Sequence, residues 1–326
     1  MRIVCMLVLG ATLANAQVDR TFRLQTPATD QDFQDLSVAA LTITGVKARA
    51  VDAAKRELSI SGTSEQMRVA DWVVAELDRP GAAGPPSSVF TMDTKEPETT
   101  IRVFHPEKIA SSQELNEVVT AVRTITDVRY AGIYPSQKAV VLRGTPEQVD
   151  AAEWLLAELI KDAPQQTFAF PPINTNGKQM PGVDENQVRV FRYVRARDVQ
   201  EFNEVQTMIR TLTDARRVYP YVGKRAIAIR GTEEQIDMTR WILAQLDRPL
   251  PLAAKSVSSD YTNKAGDVMR MFHFSAAMPV PLFQDTGTKI RSGTGIRRVY
   301  PFPAARTLAV RGTAAQVAQA TALAAE

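Results

Sequence analysis

One alternation of apolar and polar positions occurs four times along the chain, and each time a Gly-Thr pair and a helical pattern follow it. In every copy two large apolar residues stand two positions apart, which places both on one face of a strand. These pairs are Leu58 and Ile60, Val140 and Leu142, Ile227 and Ile229, and Leu308 and Val310. The clearest copy runs from Ala226 to Pro249. The pattern predicts a half-buried strand, a sharp turn and an amphipathic helix in each copy.

The Gly-Thr pair predicts where each helix begins. The glycine allows a sharp turn without a side-chain penalty. The threonine stands at the N-cap position with glutamine three residues later, which is the T-x-x-Q form of the capping box. The twelve anchors are Gly62, Thr63, Gln66, Gly144, Thr145, Gln148, Gly231, Thr232, Gln235, Gly312, Thr313 and Gln316. This capping role accounts for the pair without a phosphate site, because no Walker lysine or glycine-rich loop accompanies it.

The repeated unit is longer than this phrase. A bulky apolar residue stands 29 positions before the glycine in every copy, at Phe33, Leu115, Phe202 and Phe283. Each opens a second helical pattern, with one short strand predicted before it and another after it. The fold class that follows is α+β: a tandem array of four small β-α-β-β-α modules, each a three-stranded sheet with two helices packed on one face. An identical offset in four copies indicates duplication.

The module boundaries follow from the repeats and from runs of proline and glycine. The modules cover residues 17–80, 99–162, 187–249 and 267–326, and the last is degenerate or truncated. The Pro/Gly-rich stretch 81–98, the Pro-rich stretch 163–186 and residues 250–266 are linkers. Phe168 and Phe170, in the second linker, are expected either to dock elsewhere or to cover an adjacent module.

Residues 1–16 have the pattern of a signal peptide: a charged start at Arg2, an apolar run, and small residues before a cleavage site. Cys5 lies within it, so the mature chain is expected to contain no cysteine. No other stretch approaches 18 continuous apolar residues, so no transmembrane segment is predicted in the mature chain. These features favour a periplasmic protein, associated with an outer-membrane complex or free of it.

The string from Val188 to Gln200, followed by the Arg-Gly-Thr phrase at Arg230 and by Leu-Asp-Arg-Pro ending at Pro249, resembles the N-domains of secretins. Secretins are the ring-forming outer-membrane channels of type II and type III secretion and of type IV pili. The resemblance implies a periplasmic β-α-β-β-α domain that packs laterally into rings and receives substrates or inner-membrane components. It extends to the N-domains alone, because no long region of amphipathic strands for a secretin barrel follows the fourth module in this sequence.

Few residue types suited to catalysis or metal binding are present. The two histidines, His105 and His273, follow a phenylalanine in predicted first strands and are expected to be ordinary strand residues. Trp72, Trp154 and Trp241 occupy one equivalent helix position and are expected to be core residues. No nucleophile elbow is present. We therefore predict no catalytic, cofactor-binding or metal-binding residues, no cofactor, and no enzymatic activity.

Two sets of arginines recur and form the candidate interface: Arg143, Arg230 and Arg311 directly before the glycine, and Arg102, Arg189 and Arg270 in the first strand. A basic sheet face could bind nucleic acid. However, the net charge is only +3 and the chain is expected to be exported, which argues against that partner. We interpret these arginines as solvated, or as partners for acidic helix faces of a neighbouring module or subunit.

The preferred hypothesis is a non-enzymatic periplasmic protein that assembles with itself or with secretion or pilus machinery. The alternative is a soluble periplasmic binder of a small molecule or of an envelope polymer such as peptidoglycan, using the tryptophan positions. An enzyme would require a pair of carboxylates that converge in a cleft. The sequence does not name the secretion or pilus system, the cargo, the ring copy number or whether a C-terminal part is missing.

Overall fold

The computed structural model describes residues 17–79, 89–106, 108–161, 166–170, 185–247, 256–257 and 260–325. The predicted signal peptide and the remaining linker residues lie outside these ranges. The contacts divide the chain into two compact units. The first contains the chain up to His105 together with Tyr130–Gly144, and the second contains Pro106–Arg129 and the chain from Thr145 onward.

The described residues of the first unit form two α-helices and seven strands. They are β1 (Val18–Arg23), α1 (Asp30–Thr44), β2 (Ala48–Asp52), β3 (Glu57–Gly62), α2 (Ser64–Leu77), β4 (Phe90–Thr91), β5 (Thr100–Phe104), β6 (Tyr130–Tyr134) and β7 (Ala139–Gly144). The first sheet has the order β1-β3-β2, and the second has the order β4-β5-β7-β6.

The second unit contains the other six helices of the described residues. Its elements are α3 (Ser112–Thr126), α4 (Pro146–Leu159), β8 (Thr167–Ala169), β9 (Gln187–Arg192), α5 (Val199–Thr213), β10 (Arg217–Tyr221), β11 (Ala226–Gly231), α6 (Glu233–Leu246), β12 (Ser256–Val257), β13 (Tyr261–Thr262), β14 (Val268–His273), α7 (Val280–Thr294), β15 (Arg298–Phe302), β16 (Thr307–Gly312) and α8 (Ala314–Ala325). The third sheet has the order β8-β9-β11-β10, and in the fourth β14 lies between β16 and the short strands β12 and β13.

The predicted β-α-β-β-α class is confirmed. The strand that ends in the repeated glycine (β3, β7, β11 or β16) is central in each module, and the other two module strands pair with it antiparallel. Thr63, Thr145 and Thr232 each form the predicted capping box with glutamine. In the fourth module, Gln316 N–H donates to Thr313 Oγ1 over 3.3 Å, and Thr313 N–H donates to Gln316 Oε1 over 3.0 Å. A cap of this kind stabilises its helix by about 1 kcal/mol.

Three of the sheets contain more than the three expected strands, because the linkers contribute short strands. β4 pairs with β5, β8 with β9, and both β12 and β13 with β14. One aromatic residue occupies the same register in each case: Phe90 opposite Ile101, Phe168 opposite Val188, and Tyr261 opposite Met269. Part of each linker thus belongs to the sheet that follows it.

In the first unit the helices α1 and α2 are covered by a sheet on both sides. Leu58 and Ile60 of β3 pack against Met67 and Ala70 of α2. The opposite side of the same helices packs against β5, β6 and β7 through a larger cluster that includes Phe33, Leu36, Val73, Ile101, Val103, Tyr134 and Val141. At Gly132 the backbone of α1 lies so close that an added Cβ would stand 2.9 Å from Ala39 Cα. Only glycine fits at this position.

The second unit repeats this arrangement. Ile227 and Ile229 of β11 share a buried cluster with α5 and α6, and the same cluster includes Met269, Met271 and Ala309 of the fourth sheet. The other face of the fourth sheet packs against α7 and α8 through Phe272, Leu308 and Val310. Helix α3 packs against β10 and β11. The prediction placed helices on one face of each sheet. The third and fourth sheets have helices on both faces, because they contact their own helices on one face and those of the preceding module on the other.

Candidate functional site

The recurring polar contacts of the fold lie where one module's central strand meets the end of the preceding module's first helix. We call each such contact an arginine junction. Its arginine is Arg143, Arg230 or Arg311, the residue before the repeated glycine. These side chains alternate with the large apolar residues of the strand, so they point to the opposite face of the sheet. That face is covered, and the three residues are only 4%, 8% and 9% exposed. The solvated interpretation is therefore wrong for this set.

The junction of the first unit is built around Arg143. Its Nη1 donates to the Ile43 carbonyl at the end of α1 over 3.3 Å, and its Nε donates to the Glu98 carbonyl over 3.1 Å. Its Nη2 is 2.7 Å from Glu96 Oε2. The guanidinium carbon lies 4.7 Å from the centre of the Tyr130 ring. The arginine thus satisfies a helix-terminal carbonyl that has no partner within its own helix.

The two junctions of the second unit use the same atoms. Arg230 Nη1 donates to the Ile125 carbonyl over 3.3 Å, and Arg311 Nη1 donates to the Leu212 carbonyl over 2.8 Å. Each Nη1 also lies 3.2 Å from a carboxylate oxygen, Asp127 Oδ2 for Arg230 and Asp214 Oδ2 for Arg311. A positive charge near these carbonyls also complements the dipole of the helix C-terminus.

The Nε atoms of these two arginines donate to residues that stand just before the first strand of the arginine's own module, β9 or β14. Arg230 Nε donates to the Glu185 carbonyl over 2.9 Å, and Arg311 Nε donates to Asp267 Oδ2 over 3.1 Å. The Arg230 guanidinium carbon also lies 3.9 Å from the centre of the Phe170 ring. Phe170 therefore covers the arginine of the module that follows its linker.

Asp127 and Asp214 each bind a second arginine. Arg217 stands opposite Arg230 across two strands, and Arg298 stands opposite Arg311. Two like charges in direct opposition destabilise a sheet unless an acid lies between them. Asp127 accepts from Arg217 Nε over 2.8 Å, and Asp214 accepts from Arg298 Nε over 3.0 Å. These hydrogen bonds raise the pKa of the Arg217 and Arg298 guanidinium groups, whereas burial lowers the pKa of Arg230.

The two aspartates adopt a backbone conformation that glycine favours. Asp127 has φ 59° and Asp214 has φ 60°, at the C-caps of α3 and α5, where α1 has Gly45 with φ 69°. A non-glycine residue in this region costs roughly 1 kcal/mol. The shared ion pairs explain why aspartate occupies the position. The first junction has Gly45 in place of the C-cap aspartate, and Tyr130 stands there at the position of Arg217 and Arg298.

Sequence reasoning identified the junction arginines but missed their partners. Asp127 and Asp214 stand 12 residues after the repeated apolar anchor of the first helix, a position occupied by Gly45 and Gly295 in the other modules. A column containing only aspartate and glycine is the signal for a left-handed C-cap, and it was available in the sequence.

The second predicted arginine set lies in the first strands. Arg270 binds Asp260 through two hydrogen bonds, and its Nη1 donates to Thr321 Oγ1 over 2.6 Å. Arg189 contacts Thr167, and Arg102 lies over the Phe104 ring at 5.1 Å. These arginines are partly exposed and do not meet those of the junctions.

The tryptophans are half-buried, and each contacts the aromatic residue of the linker strand that follows it. The ring centres are 5.6 Å apart for Trp72 and Phe90, 5.7 Å for Trp154 and Phe168, and 6.1 Å for Trp241 and Tyr261. A pair of aromatic rings at this distance contributes about 1 kcal/mol beyond its buried area. Phe168 therefore covers the second module, which was one of the two predictions for this linker residue.

The histidines make contacts within their own sheets. His273 is buried, with Nδ1 3.0 Å from Thr307 Oγ1, and His105 Nδ1 lies 3.2 Å from the Gln137 carbonyl. Over the described ranges, no three histidine, cysteine, aspartate or glutamate residues are grouped so as to hold a metal ion. None of the helices in those ranges combines the length and apolar character needed to cross a membrane.

Comparison with known proteins finds similarity among solved structures only. No family model matches the sequence, and no curated protein does. Aeromonas hydrophila ExeD is 13% identical, with 79% of this chain and 44% of that chain covered and a TM-score of 0.16. A chain of the ETEC pilotin–secretin AspS–GspD complex is 13% identical, with 94% and 54% covered and a TM-score of 0.17. The chain thus spans about half the length of these structures.

Proposed function

We propose that the chain is a non-enzymatic protein–protein interaction and assembly protein of the periplasm, associated with protein secretion or type IV pilus machinery. The observation that carries the proposal is the arginine junction, which occurs at Arg143, Arg230 and Arg311 with the same helix-terminal contact. In each junction, the buried arginine of one module binds the helix terminus of the preceding module, so its role is to join modules. The Arg-Gly-Thr motif and its resemblance to secretin N-domains supply the link to secretion.

The roles of the charged side chains support a binding function rather than a chemical one. Asp127 and Asp214, the acids that meet pairs of arginines, are held by hydrogen bonds in the junctions. Hydrogen bonds to two guanidinium groups occupy both oxygens of each carboxylate. These acids therefore serve assembly in the proposal.

The test is capture of partners from cells, together with the mass of the purified protein. The tagged full chain is expressed at its native level, cross-linked in intact cells and isolated from the envelope fraction. The proposal expects a secretin or pilus component in the cross-linked material, or a multimer by size-exclusion chromatography with light scattering. A chain without residues 1–16 is the matched control, because it would stay in the cytoplasm and should capture none of these components. A strict monomer without an envelope partner would contradict the proposal.

The alternative, a binder of a small molecule or envelope polymer, depends on free tryptophan faces. The contacts of Trp72, Trp154 and Trp241 with linker aromatics weaken that alternative. Acrylamide quenching of tryptophan fluorescence, with and without peptidoglycan fragments, separates the two. If the assembly proposal is correct, the peptidoglycan fragments should not reduce the quenching of tryptophan fluorescence by acrylamide.

A further inference from the structure

One arginine occupies the same position in the first strand of all four modules. Arg20, Arg102, Arg189 and Arg270 each stand two residues after the strand residue that pairs with the repeated glycine. In the first module, Arg20 Nη2 lies 2.9 Å from Asp71 Oδ2 of α2. In the fourth, Arg270 Nε lies 2.6 Å from Asp260 Oδ1 and Nη2 lies 2.5 Å from Oδ2. In these two modules, the arginine at this first-strand position therefore binds the carboxylate of an aspartate.

The two carboxylates come from two different places in the repeat. Asp71 stands in the second helix, eight residues after the N-cap threonine, and the second module has Glu153 at that position. Asp260 stands in the linker, directly before the aromatic residue that pairs with the first strand. Modules one, two and four each have an acid at one of these two positions.

The third module has an acid at neither position. Arg240 stands at the helix position, and Thr167 stands at the linker position. Arg189 Nη1 donates to Thr167 Oγ1 over 3.4 Å, which is a long hydrogen bond to a neutral acceptor. Arg240 is exposed and pairs with Asp237 on its own helix. Among the described residues, no carboxylate is hydrogen-bonded to Arg189, and its buried Nε has no hydrogen-bond partner.

The electrostatics agree with this arrangement. Burial lowers the pKa of the Arg189 guanidinium, and the neighbouring charge of Arg240 lowers it further. The guanidinium carbon also lies 5.4 Å from the centre of the Phe191 ring. The nearby acid that acts on its charge is Asp237, which is paired with Arg240. Two cations that share a partly exposed surface attract a carboxylate more strongly than either does alone.

We propose that Arg189 and Arg240 of the third module form a binding site for an aspartate or glutamate side chain of an acidic segment in a partner protein. The inference rests on the proposed assembly function and identifies one surface that serves it. The carboxylate class follows from the first and fourth modules, where an aspartate binds the equivalent arginine. The partner's acid takes the place that Asp71 and Asp260 fill within the chain.

The structure also supplies substitutions that would close the site. Thr167→Asp recreates the linker acid of the fourth module, and Arg240→Asp recreates the helix acid of the first. Either one should give Arg189 an internal carboxylate and remove its capacity for an external one. Thr288→Asp and Lys289→Asp are matched controls, because both residues are exposed on α7 and the charge changes are the same.

The experiment measures fluorescence polarisation of a fluorescein-labelled hexa-aspartate peptide titrated with the full mature chain at low salt. We expect binding to weaken at least tenfold in Thr167→Asp and in Arg240→Asp, and to change by less than twofold in the two controls. A hexaserine peptide should not bind. Thr167→Asp should also raise the melting temperature, which would show that the new carboxylate reaches Arg189.

Three outcomes would overturn the site. One is equal weakening in the controls, which would indicate attraction to net charge alone. Another is unchanged binding in both site variants. The third is displacement of the peptide by an equal concentration of inorganic phosphate, which would indicate a general anion site. None of these depends on capture of an envelope partner, so failure here is distinguishable from failure of the proposed function.

Discussion

The first and third modules share strand order and capping, yet they differ on the sheet face that points away from their own helices. In β3 this face has Ser59 and Ser61, which are partly exposed, and Ser59 Oγ lies 2.8 Å from Thr21 Oγ1 of β1. In β11 the equivalent residues are Ala228 and Arg230, both buried. Helix α3 of the preceding module packs on β10 and β11. The difference shows that the same strand pattern has a partly solvent-exposed second face in β3 of the first module and a buried second face in β11 of the third.

The largest effect is expected where that face meets the helix terminus. Arg230→Ala would remove the donor to the Ile125 and Glu185 carbonyls and leave the Asp127 carboxylate with Arg217 alone. Removing one partner of a buried ionic network costs roughly 3–5 kcal/mol, and the partial exposure of Asp127 places this change near the lower value. Ser61→Ala, its counterpart in the first module, should change the free energy of unfolding by less than about 0.5 kcal/mol. Urea denaturation measures both, and equal losses would show that the two faces do not differ.

A second contrast lies at the end of the second helix. Asp78 accepts from Gln25 N–H, Thr26 N–H and Thr26 Oγ1 over 2.7–3.0 Å. Asp78→Ala should therefore cost about 2 kcal/mol, because two backbone donors lose a charged acceptor. Its counterpart Asp247 has a buried Oδ1 without a hydrogen bond. Asp247→Ala should cost much less in thermal or urea denaturation, and a loss as large as that of Asp78→Ala would contradict the contrast.

The aspartate and glycine C-caps allow a reciprocal exchange. Asp127→Gly relieves the left-handed backbone but removes the carboxylate shared by Arg217 and Arg230, so we expect a net loss of about 1 kcal/mol. Gly45→Asp places a new carboxylate beside Arg143, whose Nη1 is 3.9 Å from the site of the added Cβ. That ion pair should offset most of the backbone cost. Gly295→Asp is the control, because an added Cβ there would meet no atom within 4 Å. The variants are compared by urea denaturation, and equal losses for the two glycine substitutions would argue against a role for Arg143.

The smallest effect is a dependence on pH. Burial raises the pKa of Asp247, and Arg195, 3.9 Å away, only partly opposes the shift. A carboxyl group with a raised folded pKa destabilises the fold when it is ionised, and this penalty disappears as the pH falls through the folded pKa toward the unfolded value. Asp247→Asn should thus be slightly more stable than the parent at pH 7, and the difference should vanish below about pH 4. Melting temperatures between pH 3.5 and 7 test this, and a difference that grows on acidification would have the wrong sign.

Much of the fold could be predicted because its signals are local. A threonine and a glutamine three residues apart specify a helix start wherever they occur, and alternation over four residues specifies one buried strand face. The linker strands were missed, since Phe90–Thr91 and Tyr261–Thr262 are two residues long and are stabilised only by the edge they pair with. The repeated positions of the junction arginines could be read from the sequence, but the burial of their side chains was not predicted. Whether a strand's second face is wet depends on a helix about 100 residues earlier in the chain, as for Arg230 and Ile125.

By itself, the sequence determined the repeat, the strand and helix order within each module, and the positions where helices begin, since periodicity and capping act over a few neighbouring residues. Only the tertiary structure decided that the helices α1 and α2, and likewise α5 and α6, contact two sheets, and that Asp127 and Asp214 each hold two arginines. It also decided that Arg189 is hydrogen-bonded to a threonine and, among the described residues, to no carboxylate. These outcomes depend on distant residues meeting at a buried surface, where a charge must find a partner because water is excluded.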